Sequence, residues 1–310
     1  MAHHVGMSLC AVENALTGNV LQQRFLRGEM AAAEELLKES PPTGAAVFED
    51  VVRRDAPEKP GRAANQIEEY DDIHPRTPRM HLLSAAGYTL LLSDNGSSVS
   101  ICQGVDITRR SGDVLRRPQG VYAIVEGAGV RFSLTRAPDY RESAAHRVEF
   151  APSYAAFYAR RGVLEGGMSA SLHPSIPCER RTIQIRNHST KRVQAQVLIY
   201  FEPCLARSDA AAAHPAFSGM FLEQRYDASL HVLTFTRRLR EGESPVSIAV
   251  GFADGRALEY DCSRERVLRR PDGIAGLACA AGQKLIPEGG LPDLCAAVRL
   301  SMDIAPRSQR

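Results

Sequence analysis

The sequence has no tryptophan, and aromatic side chains make up only 6% of its 310 residues. Surfaces that grip sugars usually rest a flat ring against the apolar face of the ligand, with planar hydrogen-bonding groups beside it. A dense stacking platform is therefore not expected here. Charge of one sign is lacking as well: 38 Lys and Arg stand against 36 Asp and Glu, a formal net charge of +2. Nothing resembles the basic stripe that tracks a phosphate backbone, which excludes nucleic acid as a partner. No apolar run approaches the roughly 18 residues that a membrane-spanning helix needs. The opening MAHHVGMSLC lacks a charged segment followed by an apolar one, so it does not read as a secretory leader.

Cysteine is present but unpaired in pattern. Cys10, Cys102, Cys178, Cys204, Cys262, Cys279 and Cys295 are scattered singly, with no C-x-x-C spacing. An odd, dispersed set argues for a reducing compartment and against zinc, and most of these side chains are expected as small core hydrophobes. Asn95-Gly96-Ser97 and Asn187-His188-Ser189 are then turns, not glycan acceptors. Motifs that carry chemistry are also missing: there is no glycine-rich phosphate loop, no G-x-S-x-G elbow and no H-E-x-x-H. Asp71-Asp72 is the one adjacent aspartate pair, and it lies in a stretch that reads as linker. No catalytic, cofactor-binding or metal-binding residue is assigned.

What is present divides the chain in three. The spacing of Leu9, Val12, Leu16, Val20, Leu21 and Phe25, and the strong helix formers from Ala31 to Lys38, predict helix over residues 8–39, interrupted at Gly18 and Gly28 and stopped by Pro41-Pro42. Residues 1–54 form this helical segment. Residues 55–78 are rich in proline, glycine and charge and read as a linker. Its acidic Glu68–Asp72 run and the His74-Pro75-Arg76 that follow read as solvated.

From Met80 the period changes to two. Thr89–Ser93 runs into Asp94-Asn95-Gly96, a strong hairpin signal. Alternation recurs at Val130-Phe132-Leu134, Ile183-Ile185, Val193–Phe201, Val246–Phe252 and Ala297–Ile304, with helical spacing again only near 263–270. Short strands on the order of ten residues apart predict one large antiparallel sandwich over 79–310 rather than a βαβ sheet.

The stretch from Tyr200 to Tyr226 sits in the middle of this system. It reads as a strand, a small-residue loop at Ala210–Ala213, a His214-Pro215-Ala216-Phe217 corner and a second strand. Tyr200-Phe201-Glu202-Pro203 and the His-Pro-Ala-Phe corner resemble the N-terminal super-sandwich domain of the cellobiose and chitobiose phosphorylase family. They are closer still to its copies inside cyclic β-1,2-glucan synthases. Ala2, His3, His4, Gly6, Met7 and Ser8, with Val5 for a glutamine, resemble the segment that closes a glycoamylase-like domain ahead of the first such sandwich. Thr108-Arg109 matches part of a Thr-Arg-Trp, and Glu179-Arg180-Arg181 a Glu-x-Arg strand start, read here as a cross-strand charge arrangement.

The resemblance implies a mainly β, galactose-mutarotase-like super-sandwich preceded by a short helical segment. It also implies a fragment whose parent processes β-linked glucans, with the catalytic acid in a helical barrel beyond residue 310. The chain itself is expected to scaffold that missing barrel, with a homodimer as a further partner and at most weak contact with a β-linked glucan or oligosaccharide. It is expected in the cytoplasm, or on the cytoplasmic face of the inner membrane as part of a larger protein. Thr108, Arg109, His214, Pro215 and Phe217 are the candidate glycan or interdomain contacts. His214 stands either at such a contact or in a purely structural corner, where it caps the loop, Pro215 fixes the turn and Phe217 fills core. The rival function, an independent carbohydrate-binding module, needs an exposed platform among Tyr88, Tyr122, Tyr140, Tyr154 and Tyr158. A second rival, an active enzyme, needs carboxylates converging in a cleft.

Overall fold

A computed structural model describes residues 2–28, 30, 67–72, 77–111, 117–140, 145–239, 245–268, 273–277, 283–287 and 293–310. The expected helix at 31–39, most of the linker, His74–Arg76, Arg269-Arg270 and Cys279 lie outside these residues. The chain divides into two compact units, Met1–Gly61 and Arg62–Arg310.

In the first unit, α1 (Ala2–Thr17) and α2 (Val20–Phe25) are separated at Gly18, whose φ of +70° is a left-handed conformation that suits glycine. The side chain of Asn14 accepts from the backbone N–H groups of Leu21 and Gln22, satisfying donors that the start of a helix leaves free. Val5, Leu9, Val12 and Leu16, spaced by four, three and four, are all exposed.

The second unit is four antiparallel sheets. The first orders β1 (Glu68–Tyr70), β8 (Ala145–Ala151), β9 (Tyr154–Arg161), β10 (Leu164–Leu172) and β11 (Glu179–Asn187). The second orders β17 (Glu259–Ser263), β18 (Leu294–Ile304), β12 (Val193–Phe201), β6 (Tyr122–Gly127) and β7 (Val130–Ser133). The third orders β13 (Pro203–Arg207), β5 (Val105–Thr108), β4 (Ser98–Cys102), β3 (Tyr88–Ser93) and β2 (Met80–Ala85), and the fourth β14 (Leu222–Asp227), β15 (Val232–Arg237) and β16 (Ser247–Val250). The architecture is the expected mainly β super-sandwich.

Sheet two is buried on both faces, which explains why β12 is apolar almost throughout. Ala195 and Val197 face a core shared with Phe157, Met168 and Ile185 of sheet one. Leu198 and Tyr200 point the other way, into a cluster with Val267, Leu277 and Leu285. A third cluster joins Phe201 and Val298 to Phe235 of the small sheet. At Gly166 the sheets approach so closely that an added Cβ would lie 2.3 Å from Leu134 Cδ2 and 3.0 Å from Ile185 Cδ1.

Three expectations change. β1 lies inside the stretch read as linker, because Glu68–Tyr70 pairs with Val148–Phe150 and lets Tyr70 pack on the core. The small-residue loop at Ala210–Ala213 is the end of a helix, α3 (Ser208–Ala213), in keeping with the helix preference of alanine. An additional strand, β13, stands between β12 and that helix.

Candidate functional site

β13 pairs with β5, and Ser208, at the start of α3, donates to Asp106 Oδ2 at 2.8 Å. Asp106 also holds Arg110 through two bonds of 3.1 and 2.8 Å, which raises the Arg110 pKa. The chain that leads to the His214 corner is thus moored to sheet three.

Thr108 is the last residue of β5 and is buried; its Oγ1 accepts the Ser100 amide at 3.0 Å, locking the hydroxyl inside the sheet. Arg109 follows, and belongs to a closed ring of four charges. Its Nη1 lies 2.7 Å from Glu202 Oε2, and its Nη2 donates to Asp293 Oδ1 at 3.2 Å. Arg264, opening α5 (Arg264–Val267), donates Nε to Glu202 Oε1 at 2.8 Å and Nη1 to Asp293 Oδ2 at 3.2 Å. Tyr200 donates to Glu202 Oε1 at 2.8 Å. The Glu202 side chain is completely buried. Burial opposes the Arg264 charge, but Glu202 outweighs it and the pKa rises. Burial, then the Glu202 charge, pushes the Tyr200 phenol up. With two cations and two anions the ring is neutral, and both carboxylates are held by arginines.

Glu179 corrects the cross-strand reading of its charge. It spans sheets: Oε1 pairs with Arg181 Nε at 2.6 Å, while Oε2 accepts Ser100 Oγ at 2.6 Å and the Tyr88 hydroxyl at 3.0 Å, on β4 and β3. Burial raises its pKa, but the Arg181 charge and these bonds prevail and hold it below the usual carboxylate range.

His214 stands between α3 and α4 (Pro215–Gly219) and is exposed. Its side chain caps nothing; its carbonyl accepts the Ser218 amide at 2.9 Å. Pro215 occupies the first turn, where its missing N–H costs little. Phe217 does not fill core: it is 51% exposed and meets Phe221 edge-on at 5.2 Å. Met220 and Leu239 are similarly exposed, at 54% and 52%.

Beneath this apolar face lies Arg237, only 4% exposed, whose Nη1 donates to the Ser218 carbonyl at 3.2 Å and whose guanidinium carbon is 5.4 Å from the Phe221 ring centre. As an adjacent basic pair, Arg237-Arg238 reads from sequence alone as solvated or interdomain cations; the first of them is instead buried, because Leu233, Phe235 and Arg237 are the inward positions of β15. Arg238, the outward neighbour, donates to the Met220 carbonyl at 2.8 Å.

The five tyrosines do not form one platform. Tyr88 and Tyr122 are buried. Tyr158 lies beneath the Arg147 guanidinium at 4.2 Å and donates to Glu149. Among the described residues, no three His, Cys, Asp or Glu side chains gather as a metal-binding set, and no helix is long and apolar enough to cross a membrane.

Comparison with known proteins agrees with the architecture. Residues 64–310 match the model of the glycosyl hydrolase 94 supersandwich domain. Over 278 residues the chain is 26% identical to the cyclic beta-(1,2)-glucan synthase NdvB of Rhizobium meliloti (strain 1021). That alignment takes in 87% of this chain but 10% of the relative, so the chain corresponds to a fragment of that protein's length. With the family model spanning most of its residues, the chain belongs to the glycosyl hydrolase 94 supersandwich domain family.

Proposed function

We propose that this chain is the non-catalytic sandwich of a glucan-processing protein and that the His214–Phe217 corner is where it holds a neighbouring domain. The observation that carries this reading is the build of the corner. Phe217, Met220 and Leu239 face solvent, while the helix beneath them is fastened from inside by Arg237. Exposed aromatic and aliphatic side chains on a rigid base suit the buried centre of an interface. The ionic ring supports the same reading: its carboxylates are neutralised by arginines and serve to join the ends of β5, β12 and β18.

The partner of this reading is the helical-barrel catalytic domain, and the glucan is handled there. The test is mixing of this chain with the separately produced barrel segment of the synthase relative, followed by size-exclusion chromatography. Co-elution that is lost in Phe217→Ser/Met220→Ser, with the melting temperature of the variant unchanged, is the expected result. Independent migration of the two folded proteins would overturn it. Calorimetric titration with linear and cyclic β-1,2-glucans is expected to show no heat, since two of the five tyrosines a binding module would use are buried.

A further inference from the structure

At one end of the sandwich, two hairpin turns and a connection between sheets come together: Ala128-Gly129 after β6, Gly162-Val163 after β9, and residues 188–192, which lead from β11 of sheet one to β12 of sheet two. Between them is an open, mostly apolar cleft of about 370 Å³ lined by Ala128, Val163, Ser189, Lys191, Arg192, Val193 and Gln194. On and beside these turns and the chain that follows β18, eight Lys and Arg side chains stand against three side-chain carboxylates, in a chain whose formal net charge is +2.

The carboxylates are already engaged. Glu126 holds Arg131 at 2.7 Å, Asp303 holds Arg192 at 2.7 Å, and Glu165 holds His188 at 2.6 Å. Arg160, Arg186, Lys191 and Arg307 are exposed, with no ion pair among the described residues. Arg160 and Arg186 flank Glu165 across the strands, and the Arg307 amide donates to the Ser189 carbonyl at 3.1 Å, so these cations adjoin one another around the cleft.

We propose that this end of the molecule docks on an anionic phospholipid surface, with headgroup phosphates meeting the cations around the cleft. The cleft and its surroundings match an amphiphile: the exposed cations beside it meet phosphates, and its mostly apolar lining meets the carbons beyond them. Unneutralised cations spread over strand ends and connecting segments suit a broad charged plane, where each contributes its own attraction. An acidic peptide would need a groove or an open strand edge. The adjacent edge of β11 is already taken, with the Ile185 amide bonded to the Arg310 carbonyl at 2.8 Å and the Asn187 amide to that of Ser308 at 2.8 Å.

The test is sedimentation of the 310-residue chain with vesicles of phosphatidylcholine alone, or of phosphatidylcholine mixed with phosphatidylglycerol. The chain is expected to sediment with the anionic vesicles only, and less so as salt screens the surface. Each cation near the surface is worth about fivefold in partition, so Arg160→Glu/Arg186→Glu/Lys191→Glu is expected to lower it on the order of a hundredfold or more. Arg225→Glu, on the small fourth sheet, leaves binding unchanged. Equal binding to both vesicle types, or an unaffected triple variant that still melts cooperatively, overturns the proposal. So does displacement by inorganic phosphate at matched ionic strength, which marks a site for a free anion. Capture of poly-glutamate in preference to vesicles also overturns it, in favour of a protein partner.

Discussion

Glu202 is the residue on which most of the described ionic frame depends. It accepts from Tyr200 and Arg264 and faces Arg109 at 2.7 Å, with its side chain removed from water. Removing one member of a buried pair leaves the partner's charge uncompensated, which costs about 3–5 kcal/mol. Glu202→Gln is therefore expected to lower stability by about 3 kcal/mol in urea denaturation, the low end applying because both arginines remain partly exposed. Arg109→Ala is expected to cost less, because Arg264 and Tyr200 still hold the carboxylate.

His146 tests burial in the opposite sense. Its Nδ1 is buried without a hydrogen-bond partner, and burial, with Arg136 nearby, lowers its pKa to about 4. The unfolded chain then binds the proton first as pH falls below about 6.5. Stability is lost from there down to pH 4, at up to about 1.4 kcal/mol per pH unit. His146→Phe removes that dependence, so melting temperatures of the two proteins, equal in slope above pH 7, diverge on acidification. Parallel curves down to pH 4 would show that the imidazole is not shielded.

Among the elements, those with a local cause were legible. The Asp94-Asn95-Gly96 turn joins β3 to β4 with Gly96 at φ +92°, and alternation located β7, β11, β12 and β16. What could not be read locally were elements whose cause lies far along the chain. β1 exists because β8, some eighty residues later, offers it an edge. β13 exists because β5, far earlier in the chain, offers it an edge, a pairing that the Arg109 amide extends to the Glu202 carbonyl at 2.8 Å. The candidate site divides in the same way. The Pro215 turn was legible, whereas the backing of the corner by Arg237, through Ser218 and the Phe221 ring, comes from a distant strand. Gly166 is another distant effect, a glycine in mid-strand whose reason is Leu134, just past the end of β7. Gly166→Ala is expected to cost about 1–3 kcal/mol, the range for overpacking a filled core. Restoration by Leu134→Val in the double variant would identify that contact as the cause.

For the whole molecule, the order of strands makes the last one central. β18 pairs with both β12 and β17, so sheet two is incomplete until residues 294–304 are in place. The six residues after it do something different: they lie along the outer edge of β11. Arg310 and Ile185 exchange bonds of 2.8 and 2.9 Å, Ser308 accepts from Asn187, and Arg307 donates to Ser189. Four such bonds are worth about 0.5–1.5 kcal/mol each, but ordering four residues costs about 1–2 kcal/mol apiece. The two nearly cancel. Truncation after Pro306 is therefore expected to shift the denaturation midpoint only slightly. The side chain of Asn187 keeps its bonds to the carbonyls of Lys191, Ile304 and Ala305. Hydrogen exchange separates this from unfolding: protection should fall at the Ile185 and Asn187 amides and persist at Val197 and Val298, in the middle of sheet two. Loss of protection throughout would mean that the tail is part of the cooperative core, and that the edge of β11 is where the sandwich begins to open.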